Sequence, residues 1–355
     1  MRTRRWWRLG CRVGVLAMLA YAAISVGRAE ATVSFATRCA AAGVFICEGF
    51  NTPGNNGFNA LGSGCVTATE CHTNQGALNN GNGFIYTLAG GTNWPVVSND
   101  RMTEGTGSLR LAFPNGAIMD QQMAQYVHPF NRAFAPGANN EWWLQFKQYY
   151  PAQMNTGSSF NPANNQGWKV VDMHNYPRAC DNIEITQQNT YLSAMLEWYT
   201  QCGPGIGPFH SGDTVISPYY VQGGTGVTFA CDQSQVPGPC LLYPSNVWMV
   251  QMIHIKLGAW GASTSLVEAW AAIDGQPLQK YLYVPDWPFF NSSDSASAQA
   301  YTHLQLTNYM TGGPTIVVPT FYTYYDELIM STQAIADPAS AGGTPPAAPT
   351  NLRVN

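Results

Sequence analysis

The residues best suited to chemistry lie on alternate positions of three apolar-polar runs. Successive side chains of a strand point to opposite sides, so alternation assigns faces. In Tyr301–Met310, Leu304 and Leu306 go one way while His303, Gln305, Thr307 and Tyr309 go the other. In Glu141–Tyr149, Trp142, Leu144 and Phe146 point inward, and Glu141, Trp143, Gln145, Lys147 and Tyr149 point outward. In Trp248–Leu257, Ile253, Ile255 and Leu257 pack, leaving His254 and Lys256 to project. A face mixing flat aromatics with Gln, Lys and His suits a sugar chain, because pyranose rings stack on aromatic faces and hydroxyls take several hydrogen bonds. Taken singly, each of these residues reads as the wet face of a sandwich; their grouping on successive strands is what points to a site.

The elements that carry these rows are short alternating runs separated by Gly, Asn and Pro clusters, the pattern of antiparallel sheet with one face buried. Further strands are expected at Ser108–Phe113, Trp168–Met173, Ile183–Gln188, Ser193–Tyr199, Ser265–Ile273 and Thr323–Ser331. Helical periodicity is nearly absent. The expected fold is all-β, a two-sheet antiparallel sandwich of jelly-roll type with long loops.

The ends frame this domain. Arg2, Arg4, Arg5 and Arg8, the apolar run from Val13 to Val26, and Ala29-Glu30-Ala31 read as an export signal cut after Ala31. The apolar run is shorter than the roughly 20 residues a membrane-spanning helix needs, so no membrane insertion is expected. Residues 32–335 are expected to form one domain. From Ala336 the chain turns rich in Ala, Pro and Gly, the composition of a tether, and Ala347 to Val354 resembles one strand of a fibronectin type III module.

Of the nine cysteines, Cys11 leaves with the signal, and an exported chain with eight left favours four disulfides. Close sequence pairs suggest Cys39–Cys47, Cys65–Cys71, Cys180–Cys202 and Cys231–Cys240. Cys65, Cys71 and His72 are the best material for a metal, but no CxxC pair exists, so neither metal nor cofactor is expected. Signal removal takes six of the 16 Lys and Arg and one of the 20 Asp and Glu, leaving a net charge of −9. So acidic a chain disfavours nucleic acid and anionic lipid as partners.

Several runs then carry a family resemblance: Glu141 to Lys147, Gly167 to Val171, Trp248 to Gly258, Val267 to Trp270 with Asp274-Gly275, and Tyr324 to Ser331. Over about residues 105–335 they resemble secreted bacterial jelly rolls of the concanavalin A-like class, related to polysaccharide lyases of the heparin-lyase and glucuronan-lyase type. The resemblance implies an extracellular or periplasmic protein with polysaccharide as its partner, cleaving an acidic chain by β-elimination. That reaction needs a carboxylate neutraliser, a base and an acid. On this reading His254 is the base, Tyr309 the acid, and Gln305, Lys147 or Lys169 holds the carboxylate. Trp143, Gln145, His303 and Lys256 complete the binding face.

Two narrower activities are disfavoured. Jelly-roll alginate lyases carry a Gln-Ile-His or Gln-Val-His triplet, whereas Gln251 stands three residues before His254 and so faces the other way. Laminarinase-type glycosidases set paired carboxylates on one strand, and Asn182 to Gln188 supplies Glu184 alone. A non-catalytic glycan-binding or adhesive module is the alternative to a lyase. A hydrolase or structural surface protein is the third reading.

Overall fold

The computed structural model describes residues 32–51, 58–60, 64–67, 70–72, 74–78, 84–87, 95–113, 124–134, 140–155, 167–174, 184–189, 196–201, 214–215, 243–259, 262–288, 300–311 and 319–340. A short helix, α1 (Phe35–Cys39), is followed by the strands β1 (Val44–Glu48), β2 (Phe58–Ala60), β3 (Gly64–Thr67), β4 (Glu70–His72), β5 (Asn74–Leu78), β6 (Phe84–Thr87), β7 (Val96–Ser98), β8 (Ser108–Phe113), β9 (Ala124–Phe134) and β10 (Asn140–Tyr150). Then come β11 (Gly167–His174), β12 (Glu184–Asn189), β13 (Leu196–Gln201), β14 (Thr214–Val215), β15 (Val247–Leu257), β16 (Ser263–Ile273), β17 (Gln279–Pro288), β18 (Tyr301–Thr311) and β19 (Phe321–Ser331).

Two antiparallel sheets form the expected jelly-roll sandwich. The first runs β17-β16-β15-β10-β19-β8-β7, with β1 also paired to β19; the second runs β14-β13-β12-β11-β18-β9-β6-β5-β2. Their inner faces bury one continuous core in which Trp142, Leu144, Phe146, Ile253 and Ile255 of the first sheet meet Val171, Met173, Leu304 and Leu306 of the second. Polar inner-face groups are paired across the gap. The Trp142 indole donates to Met173 Sδ at 3.2 Å, and the Tyr325 hydroxyl reaches the carbonyls of Val170 at 3.0 Å and Thr307 at 3.2 Å. Gln251, buried as alternation requires, donates to Gln148 Oε1 at 3.0 Å.

The outer face of the first sheet is covered over part of its length. Val250, Met252, Trp270, Ile329 and Ile335 form a second apolar cluster against Phe35, Cys39 and Trp143. Buried Arg38 of α1 pairs with Glu327 and donates to Gln145 Oε1. The Cys39–Cys47 disulfide is present, tying α1 to β1. The chain after β19 packs here too. Asp337 is buried and accepts from Leu278 N at 2.8 Å, and Val33 N donates to Pro338 O at 2.8 Å. The expected tether from Ala336 is thus built into the fold as far as Ser340, because Asp337 and Pro338 satisfy main-chain groups of β17's approach and of the N-terminal segment. Cys65 faces Cys71 across the β3–β4 hairpin. Their side chains, Cys180, Cys202, Cys231, Cys240, the export signal and Ala347 to Val354 lie outside the described residues.

Candidate active site

The polar row on β18 forms the middle of a larger polar field on the outer face of the second sheet. Between β11 and β18, Lys169 stands opposite Tyr309 and Asp172 opposite Gln305; between β18 and β9, Thr307 stands opposite Gln125. A bulge between Lys169 and Val171 decides the face of Lys169. One extra residue lets Val170 and Val171 both enter the core, so Lys169 and Asp172 emerge on the outside together.

These outward groups are not washed by solvent. Lys169 is 7% exposed, Asp172 3%, Gln305 2%, and Gln125 and Thr307 0%, while His303 and Tyr309 are half-buried. The Lys169 ammonium lies 5.1 Å from the centre of the Tyr309 ring. Thr307 Oγ1 accepts from Tyr309 N at 3.2 Å, and His303 Nδ1 lies 2.7 Å from Thr302 Oγ1. Both amide atoms of Gln125 are buried without a hydrogen-bond partner among the described residues. Buried amides are normally paired, so an orphan here marks a place where a ligand's polar group would be welcome. Chemically, the field offers amide donors, a cation and a phenol on neighbouring strands.

The structure does not bring His254 to Tyr309. Alternation placed each on the outside of its own strand, but β15 and β18 belong to different sheets, and their outer faces look away from each other across a sandwich about 10 Å thick between sheets. His254 is 6% exposed and stacked on Trp143, ring centres 4.0 Å apart and 6° from parallel. Its ring nitrogens meet Glu268 at 2.9 Å and Glu141 at 3.2 Å. Burial works to raise the Glu268 carboxyl, but hydrogen bonds to His254 and Lys280 outweigh it and hold it below the usual range. Lys147 is bound by Glu327 at 2.7 Å and Asp274 at 2.9 Å. Gln145 is buried against Arg38 and donates to Ala336 O at 3.0 Å. Lys256 is exposed on this same side. Trp143, Gln145, Lys147, His254 and Lys256 therefore stand apart from Lys169, His303, Gln305 and Tyr309.

Sequence reasoning missed Gln125 and Asp172. Gln125 sits in a strand interrupted by Pro129, which weakens the strand signal, and Asp172 is returned to the outer face only by the bulge. Among the described residues no group of three His, Cys, Asp or Glu is placed to hold a metal ion, and no helix is long and apolar enough to cross a membrane.

No family profile matches the chain, and no curated protein matches it in sequence. Solved structures are similar in fold. The marine PL-14 alginate lyase from Aplysia kurodai aligns over 67% of this chain and 87% of its own, at 12% identity and a TM-score of 0.46. The endo-β-1,4-glucuronan lyase from the fungus Trichoderma reesei aligns over 75% and 97%, at 13% identity and 0.47. The catalytic domain of the glycoside hydrolase family 131 protein from Coprinopsis cinerea aligns over 70% and 82%, at 14% identity and 0.35.

Proposed function

We propose that this is an exported polysaccharide lyase that cleaves an acidic polysaccharide by β-elimination on the outer face of the second sheet. The observation that carries the reading is the Lys169–Tyr309 pair beside Gln305 and beside Gln125, which has no hydrogen-bond partner among the described residues. In this mechanism the amide of Gln305 donates to the uronate carboxylate and spreads the charge that develops when the adjacent carbon loses its proton. Tyr309 handles the protons. As phenolate it takes the proton from carbon, and the resulting phenol returns it to the leaving glycosidic oxygen. The carbon–oxygen bond breaks as the carbon–carbon double bond forms, so no water is consumed. His303, half-buried at the same face, borders the bound sugar.

The test is the product. Purified mature protein mixed with a panel of polyuronates should give rising ultraviolet absorbance from unsaturated uronyl ends. Tyr309→Phe should lower kcat/KM by about 10²–10⁴-fold. Binding without absorbance or new chain ends would replace the lyase reading with the glycan-binding one, and cleavage with new ends but no absorbance would make the protein a hydrolase.

A further inference from the structure

Across one stretch of the first sheet's outer face four adjacent strands align one row, in which Tyr149 and Tyr324 are buried and Arg110 and Trp248 half-buried. Arg110 of β8 stands opposite Tyr324 of β19, Tyr324 opposite Tyr149 of β10, and Tyr149 opposite Trp248 of β15. The row spans about 14 Å at ordinary strand spacing. Tyr149 meets Trp248 and Tyr324 edge-on, with ring centres 5.8 Å and 5.9 Å apart. The turn before β15 braces it: Asn246, in the left-handed region at φ 61°, places its Oδ1 3.4 Å from the Tyr149 hydroxyl and 3.1 Å from Ala152 N.

Two guanidinium groups lie on these rings. Arg101 is 4.1 Å from the centre of Tyr149 and 6.0 Å from that of Tyr324, and Arg110 is 4.7 Å from that of Tyr322. Arg110 is paired with Asp100 at 2.6 Å. Arg101 is exposed and has no ion-pair partner among the described residues. A guanidinium held over an aromatic ring keeps its N–H fork at the edge, set to grip a carboxylate with two bonds. Trp248, half-buried, adds a flat apolar surface beside it.

We infer that this row is a second binding surface, on the opposite side of the sandwich from the active site, for a strand of acidic polysaccharide. The pairing of the half-buried Trp248 ring with an exposed guanidinium that has no ion-pair partner among the described residues suits a sugar that is both flat and anionic. A neutral glycan would make no use of the charge on Arg101. That the strand is a polyuronate rests on the function proposed above; the existence of the surface does not. Such a surface would hold polymer near the catalytic face and raise its effective concentration there.

The test uses the full mature chain carrying Tyr309→Phe, so that polymer persists, in affinity electrophoresis through gels containing alginate, polyglucuronate or polygalacturonate, with a neutral β-glucan as control. Arg101→Ala and Trp248→Ala should each weaken polyuronate binding about tenfold. Arg101→Lys should recover only part of the loss, and 0.5 M salt should erase the Arg101 effect. Hydrogen exchange should show polymer protecting Val247–Met249 and Asp100–Arg101. Unchanged retardation of both variants overturns the inference, as does a parent that binds none of the three polyuronates. Should Trp248→Ala fail to fold, Arg101→Ala decides alone, because its side chain is exposed. The lyase reading fails separately, by the absence of unsaturated ends from the unmutated protein.

Discussion

His254 and Tyr309 are both polar groups on outward positions of well-formed strands, yet their surroundings differ. His254 fills a slot between Trp143, Glu141 and Glu268 with both ring nitrogens engaged, so it stabilises the first sheet. Replacing it by Ala removes a stacked ring and leaves the part-buried Glu268 short of a partner, at a cost of about 2–3 kcal/mol. Under the lyase function proposed above, the expected outcome is a lower melting temperature with kcat/KM unchanged. A loss of turnover as deep as that of Tyr309→Phe would return His254 to the chemistry. At this scale the sequence shows which side of its own strand a residue occupies, and His303, Gln305, Tyr309, Trp143, Lys147 and His254 were all legible in that sense. Which sheet the strand joins is fixed by pairing between distant segments, and a period of two carries no record of it.

At the scale of elements, β19 shows how a strand can be both framework and clasp. Leu328 and Met330 face the core, while a register shift against β10 brings Asp326 and Glu327 to the outside. Glu327 adopts φ 51°, an uncommon conformation for a side chain of its size, and is held there by Arg38, Lys147 and Thr103. Burial works to raise its carboxyl, but Arg38 and Lys147 outweigh burial and keep it below the usual range. Its neighbour differs. Burial pushes the Asp326 carboxyl up to about 6, although two hydrogen bonds from Thr103 oppose the rise. A carboxyl whose folded pKa exceeds its unfolded one binds more protons in the folded state, so its contribution favours folding at low pH and is lost as pH rises between about 4 and 6. Glu327 works the other way, losing its contribution as pH falls below the ordinary carboxylate range. Denaturant unfolding across pH 4–7 should therefore show a component of up to about 3 kcal/mol that declines with rising pH in the wild type and is missing from Asp326→Asn. Identical pH slopes in the two proteins would refute it. Strands such as β8, β10, β15 and β19 were legible from alternation. By contrast β9 and β17 were not, since Pro129 and Pro285 fall inside them.

For the whole molecule, the sandwich class followed from turn-punctuated alternation, and the Cys39–Cys47 bridge from close spacing on a chain whose sequence reads as exported. The same reasoning extends to the six cysteines that follow Cys47. A non-reduced digest analysed by mass spectrometry should return Cys65–Cys71, Cys180–Cys202 and Cys231–Cys240 with no free thiol. A bridge joining two of these loops would overturn the local pairing, and the backbone already sets Cys65 across from Cys71. The hydrogen bond from Val33 to Pro338 carries a different implication. It brings the beginning and the end of the packed domain side by side, the geometry that tolerates joining the two and opening the chain elsewhere. A circular permutant, with Ser340 joined to Thr32 through a few glycines and new ends opened at Gly275, where nothing crowds the backbone, would keep every pairing of both sheets. Its genetic map would be rotated while its three-dimensional one stayed the same.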